Sequence, residues 1–188
     1  MENTKNTFFT DVTELRRRAR EHMLKGAVTP DYQGDLKVAV KVLNEALATE
    51  IVCVLRYRNH HFMAEGIHAK PVAEEFMEHS KEEQQHADWL AARIRQLDGK
   101  PEFNPSGLLT KSHAEYSESE TLTEMVKENL IAERVAIESY REMISYFGTK
   151  DSTTRRILER ILEQEEEHAE DMSSILSTLN PKGKPNTD

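Results

Sequence analysis

The sequence lacks what several protein classes require. It holds one cysteine, Cys53, among 188 residues, so no internal disulfide can form and no thiolate cluster can hold a metal. No run of about 18 apolar residues occurs, which excludes a membrane-spanning helix. The opening stretch MENTKNTFFTDVTELRRR has no apolar signal core, and a cytoplasmic protein is expected. Positive charge is in the minority. A net charge of −9 opposes nucleic acid as the main partner, because a polyanion is captured by a positive field, whereas it is compatible with attracting cations. The one basic cluster, RRRAR at 16–20, reads as the solvated face of a short helix. Glycine and proline are few, seven and six. With high charge and modest apolar content, that scarcity suits long amphipathic helices better than a sheet.

The glycines and prolines that do occur divide the chain cleanly. Residues 1–34 read as an N-terminal arm, with a short helix over 11–25 followed by the loop GAVTPDYQGD. Four long helices are predicted at 35–64, 70–98, 120–147 and 151–179, with Asp151 as a helix start. The bundle thus covers 35–180, and a polar tail follows at 181–188 behind Pro181. At about 1.5 Å per residue, a helix of about 28 residues runs about 42 Å. Two short connections flank one long one, DGKPEFNPSGLLTKSHAEYSES. The fold class is all-α: a four-helix bundle with a crossover between its second and third helices.

Aligning the helical stripes exposes an anomaly. On the first long helix the inward positions are Leu43, Leu47, Glu50, Cys53 or Val54, and Tyr57; on the third they are Val126, Leu130, Glu133, Ala136 or Ile137, and Tyr140. A glutamate interrupts an apolar stripe in both. The second helix offers Phe76, His79, Glu83, His86 or Ala87, Leu90, Ile94 and Leu97. The fourth offers Leu158, Leu162, Glu165, His168 or Ala169, Met172, Leu176 and Leu179. A Glu and a His three residues apart share one helix face. Glu50 to Glu133 and Tyr57 to Tyr140 each span 83 positions, while Glu83 to Glu165 and His86 to His168 each span 82. The halves read as two copies of one helical hairpin, related by a pseudo-two-fold axis.

Four carboxylates buried together would repel one another until some protonated or the fold opened. Two divalent or trivalent metal ions remove that difficulty. One Glu-x-x-His on a charged helix is commonplace. Two copies, each matched by an intruding glutamate on a neighbouring helix, point to a dinuclear carboxylate centre of a kind a helix bundle supports. Oxygen-rich ligation with one imidazole per metal suits iron or manganese better than zinc or copper.

The segments LNEALATEIVCVLRY, EEQQHADWLAARIRQLDGKP, LIAERVAIESYREMI and ILEQEEEHAED carry a family resemblance. Over about 40–180 the chain resembles the ferritin-like superfamily, in particular bacterioferritins and Dps-like proteins with a bacterioferritin-type site. The resemblance implies a di-iron centre whose metal-binding and catalytic residues are Glu50, Glu83, His86, Glu133, Glu165 and His168. Glu83 and Glu165 would bridge, with Glu50 and His86 terminal on one iron and Glu133 and His168 on the other. Tyr57 and Tyr140 would orient carboxylates by hydrogen bonding. Bacterioferritins carry their haem-ligating methionine directly after the motif glutamate of the second helix. Here that residue is Gln84, so haem is not expected. Their short fifth helix, which helps build a 24-subunit shell, has no counterpart in KGKPNTD, which favours a twelve-subunit cage. The implied activity is that of a ferroxidase, oxidising Fe²⁺ with O₂ or H₂O₂ and storing or detoxifying iron as a ferric mineral in an oligomeric shell.

Two other readings stay open at this point. A dimanganese catalase or a rubrerythrin-like peroxidase would use a similar centre, although the latter normally pairs with a cysteine-rich iron site that one cysteine cannot build. A Dps-like DNA-protecting shell draws support only from RRRAR and the lysine-bearing tail, and the net charge opposes it. His79, one turn before Glu83, either fills the core, supports the site from behind or serves as an extra ligand. His60, His61, His68 and His113, near helix ends or in loops, are expected as surface residues or minor iron-entry ligands. Cys53 should pack as a small hydrophobe.

Overall fold

The computed structural model describes residues 11–180; the expected tail at 181–188 and the start of the arm lie outside that range. Among the described residues there are six α-helices and no strand. In chain order they are α1 Val12–Arg18, α2 Leu36–Met63, α3 Ala69–Gln96, α4 Pro105–Lys111, α5 Leu122–Phe147 and α6 Ser152–Leu179. The four long helices match the predicted stretches to within two residues at each end.

Local chemistry sets their limits. The Asp35 carboxylate accepts from the backbone N–H groups of Lys37 and Val38 at the head of α2. Thr121 and Glu124 form a reciprocal capping box on α5, and Asp151 caps α6 through the N–H of Thr154. Each such cap stabilises its helix by about 1 kcal/mol. Helix α5 stops at Gly148, whose φ of 44° is a backbone conformation that glycine adopts without strain.

Two expectations need correction. The helix predicted over 11–25 is interrupted: α1 ends at Arg18, and a single 3₁₀ turn, Met23–Lys25, follows. None of the α1 residues is buried, so nothing tertiary extends it, and short isolated helices are marginal in water. The crossover is also not loop throughout. It contains α4, which begins with Asn104 as cap and Pro105 in the first turn, an arrangement proline favours. Leu108 of α4 packs on Ala48 and Val52 of α2.

Helix α2 packs along α3 and α5 along α6, while α3 faces α6 and α2 faces α5 across the bundle. Two apolar clusters fill the interior. One holds Leu43, Leu47, Leu90, Ile94, Tyr140, Phe147, Leu158 and Ile161; the other holds Tyr57, Val72, Phe76, Met125, Val126 and Met172. Full burial of one such aliphatic or aromatic side chain contributes about 1.5–3 kcal/mol. Between the clusters lies a polar layer. The arm reaches the first cluster through Val28 and Tyr32, and the Tyr32 hydroxyl donates to Asp151 Oδ2 at 2.9 Å. The basic cluster of α1 is engaged locally: Arg17 donates to Glu14 at 2.7 Å and also to Glu21, as a solvated helix face would be.

Candidate metal centre

Helical periodicity alone brings the six intruding residues into the polar layer. Glu50 from α2, Glu83 and His86 from α3, Glu133 from α5, and Glu165 and His168 from α6 are each at most 2% exposed. They form two overlapping groups, Glu50–Glu83–His86–Glu165 and Glu83–Glu133–Glu165–His168, with candidate donor atoms within 4.8 Å of one another in each. Glu83 and Glu165 belong to both. Each turns one oxygen to either side. Glu83 presents Oε2 to His86 Nδ1 at 3.1 Å and Oε1 to His168 Nδ1 at 3.7 Å. Glu165 presents Oε1 to His86 Nδ1 at 3.0 Å and Oε2 to His168 Nδ1 at 3.8 Å. Glu50 sits 3.3 Å from His86 Nδ1, and Glu133 sits 3.8 Å from His168 Nδ1.

The tyrosines cross over. Tyr140 of α5 donates its hydroxyl proton to Glu50 Oε1 of α2, and Tyr57 of α2 donates to Glu133 Oε1 of α5. Each outer carboxylate is thereby fixed by the opposite hairpin, leaving its second oxygen turned to the centre. The outer nitrogens of the imidazoles are also held from the opposite hairpin. His86 Nε2 meets Gln164 Oε1 at 3.1 Å, and His168 Nε2 meets Glu82 Oε2 at 2.8 Å. In the neutral ring, an N–H donated outward fixes the orientation and leaves Nδ1 facing inward as a lone pair, the form that binds a metal. The sequence reading missed Glu82 and Gln164. The repeat itself was the signal, since each directly precedes its motif glutamate. A carboxylate backs one imidazole and a neutral amide the other, so the two halves are not electrically equal.

The electrostatics mark a layer that protein groups alone do not satisfy. Burial, then the charge of Glu83, pushes the Glu50 carboxyl up to about 8. The same causes raise Glu165 well above the ordinary carboxylate range. Burial alone would lower both imidazoles. The carboxylates gathered around His86 (Glu165, Glu50 and Glu83) and around His168 (Glu133, Glu82 and Glu83) outweigh it and raise both. Even so, Glu83 Oε1, Glu133 Oε2, Glu165 Oε1 and His168 Nδ1 are buried with no hydrogen-bond partner. Buried polar atoms are nearly always paired. Here the orphans are three carboxylate oxygens and one imidazole nitrogen converging on one space, a donor set that fits cations.

The other histidines divide. His61 and His68 lie at the ends of α2 and α3, and His113 is exposed in the crossover. His60 departs from expectation: it is fully buried, with Nδ1 accepting from Asn129 Nδ2 at 3.0 Å. Asn129 Oδ1 in turn accepts from Arg56 Nε at 2.9 Å, and Arg56 reaches the Glu115 carbonyl of the crossover at 2.8 Å. Periodicity gave no sign of this buried cation, six residues beyond Glu50 on α2. Cys53 packs with Ala114 and Ala132.

Comparison with known proteins agrees with this architecture. The model of the ferritin-like domain matches residues 40–181. A bacterioferritin of Mycobacterium leprae is 30% identical over 153 residues, covering 81% of this chain and 91% of that protein. A bacterioferritin of Rhodobacter capsulatus is 30% identical over 155 residues, 80% and 91% of the two chains. Among solved structures, a dodecameric thioferritin of Bacteroides fragilis, described as bacterioferritin-related, superposes with a TM-score of 0.77 at 31% identity, over 79% of this chain and 90% of that one. The chain belongs to the ferritin-like family, and bacterioferritins are among its relatives there.

Proposed function

We propose that the six-residue centre binds two Fe²⁺ ions as substrate and oxidises them. The carrying observation is that Glu83 and Glu165 each offer one oxygen to the His86 side and one to the His168 side. Shared carboxylates of that kind hold two cations, not one. Glu50 with His86 would complete one position and Glu133 with His168 the other. Four carboxylates carry four negative charges, which two divalent cations balance, and that balance removes the repulsion described above. Each Fe²⁺ gives up one electron. The pair of electrons, with two protons, reduces O₂ to H₂O₂ or H₂O₂ to two waters. The protein fixes charge and geometry: Tyr57 and Tyr140 hold the outer carboxylates, and Glu82 and Gln164 hold the imidazoles. Manganese would satisfy the same donors. Gln84 lies exposed on α3 and offers no thioether to a haem iron.

The oxidised iron is stored, in this reading, as a ferric mineral within a shell of identical chains. The Bacteroides fragilis protein is a dodecamer, and twelve subunits are the proposed state here. Leu55, Phe62 and Met63 on α2 are more than half exposed in the single chain, consistent with faces that a neighbour covers. No described helix is long and apolar enough to cross a membrane, and the cytoplasm is the proposed location.

Glu83→Ala and Glu165→Ala test the centre. Stopped-flow measurement of Fe²⁺ oxidation should fall by at least about tenfold in each, since losing even an outer partner of a metal ligand costs that much. The far-ultraviolet circular dichroism should stay helical. Wild-type oxidation rates in either variant would remove the basis of the proposal.

A further inference from the structure

Outside the dinuclear layer, the groove between α3 and α6 holds a second set of donors. His79 Nε2 lies 3.4 Å from Glu75 Oε1 and 3.6 Å from Asp171 Oδ2, and the donor atoms of the three residues lie within 4.8 Å of one another. The His79 side chain is only 2% exposed, whereas the two carboxylates are 40% and 44% exposed. A hydrogen-bond chain settles which His79 nitrogen is free. The single Tyr57 hydroxyl proton goes to Glu133, a carboxylate that can only accept. His79 Nδ1, 3.2 Å from the Tyr57 oxygen, must therefore be the donor in that contact. In the neutral ring Nε2 is then a lone pair. Nε2 makes no hydrogen bond among the described residues, and it points between two carboxylates. In that neutral tautomer three acceptors converge with no hydrogen between them.

The repeat supplies an independent observation. At the 82-residue offset that relates Glu83 to Glu165, Glu75 and His79 correspond to Ile157 and Ile161, and Asp171 corresponds to Trp89. Those counterparts belong to or pack against the apolar core. The polar triad therefore exists on one side of the pseudo-two-fold only and is not a general property of the hairpin surface. It also connects inward. The His79 ring stacks on His168 with centroids 4.0 Å apart, and His79, Glu82 and His168 form a further group of donors within 4.8 Å of one another.

We infer that Glu75, His79 and Asp171 form a third, solvent-open site for a first-row divalent cation, one helical turn outward from the dinuclear pair. Two carboxylate oxygens and one imidazole nitrogen occupy one side of the ion, and water completes its coordination. Such a donor set takes Fe²⁺, Mn²⁺, Co²⁺ or Zn²⁺. The site does not depend on the redox reading of the pair.

Anaerobic Co²⁺ titration of the full-length protein in 0.2 M salt, followed by calorimetry and visible absorption, tests it. The wild type should take up three equivalents per chain, and the surface double variant E75Q/D171N two, with unchanged circular dichroism. A wild type that saturates at two equivalents overturns the inference and leaves the dinuclear reading standing. That is the result if His79 is instead doubly protonated and simply ion-paired with the two carboxylates. Three equivalents retained in E75Q/D171N would overturn it as well. A wild type that binds one equivalent, lost in E75Q/D171N, would uphold this site and remove the pair.

Discussion

His60 shows how a single buried group ties stability to pH. Burial, then the charge of Arg56, lowers its pKa from 6.5 to about 4. Between those values the unfolded chain binds a proton that the folded chain refuses, so stability is lost as pH falls from 6.5 toward 4. The loss attributable to this one ring reaches about 3 kcal/mol once the pH is well below 4. Chemical unfolding of the wild type and His60→Gln across that range should show a steeper acid loss in the wild type; parallel curves would contradict the assignment. The sequence did not reveal this burial, because His60 lies only three residues before the end of α2. What covers that end is the crossover, which Arg56 pins through the Glu115 carbonyl, and the path of an irregular segment leaves no periodic trace. The glutamates were readable for the opposite reason. An acid that interrupts an otherwise apolar helical stripe is conspicuous at the residue itself.

Helix ends were equally readable where a side chain acts on its own backbone, and opaque where it acts across the fold. Asp151 illustrates both. As the cap of α6 it follows from local sequence. Its other partners do not: Arg93 Nη2 donates to both its oxygens at 2.8 and 3.0 Å, and Tyr32 of the arm donates to Oδ2. One aspartate thus joins the arm, the end of α3 and the start of α6. Asp151→Ala would strand the Arg93 guanidinium, whose side chain is 8% exposed, at a cost of about 3–5 kcal/mol. Replacing Arg93 by Met in the same chain should recover part of that loss. Additive losses in equilibrium unfolding of the single and double variants would show that the pair is not coupled. Helix α4 escaped the sequence reading because its seven residues are too few for a periodic pattern.

The molecule as a whole is a duplicated hairpin whose symmetry and asymmetry do different work. The symmetric elements converge: two outer glutamates, two shared ones, two imidazoles and two crossed tyrosines meet between the apolar clusters. The fold and the clustering of these side chains were both legible in the repeat, since folding two equal hairpins face to face brings equivalent positions together. The asymmetric elements were not, because a broken repeat looks like ordinary drift until its residues meet in space. Glu82 opposite Gln164, and His79 where the other half has Ile161, are such breaks. The most direct test of the central claim is anomalous diffraction at the iron edge from crystals soaked anaerobically in Fe²⁺. Two iron peaks should appear inside the bundle of each chain, both touching Glu83 and Glu165, one of them with Glu50 and His86 and the other with Glu133 and His168. Iron confined to the surface, or a single peak between those six side chains, would contradict it.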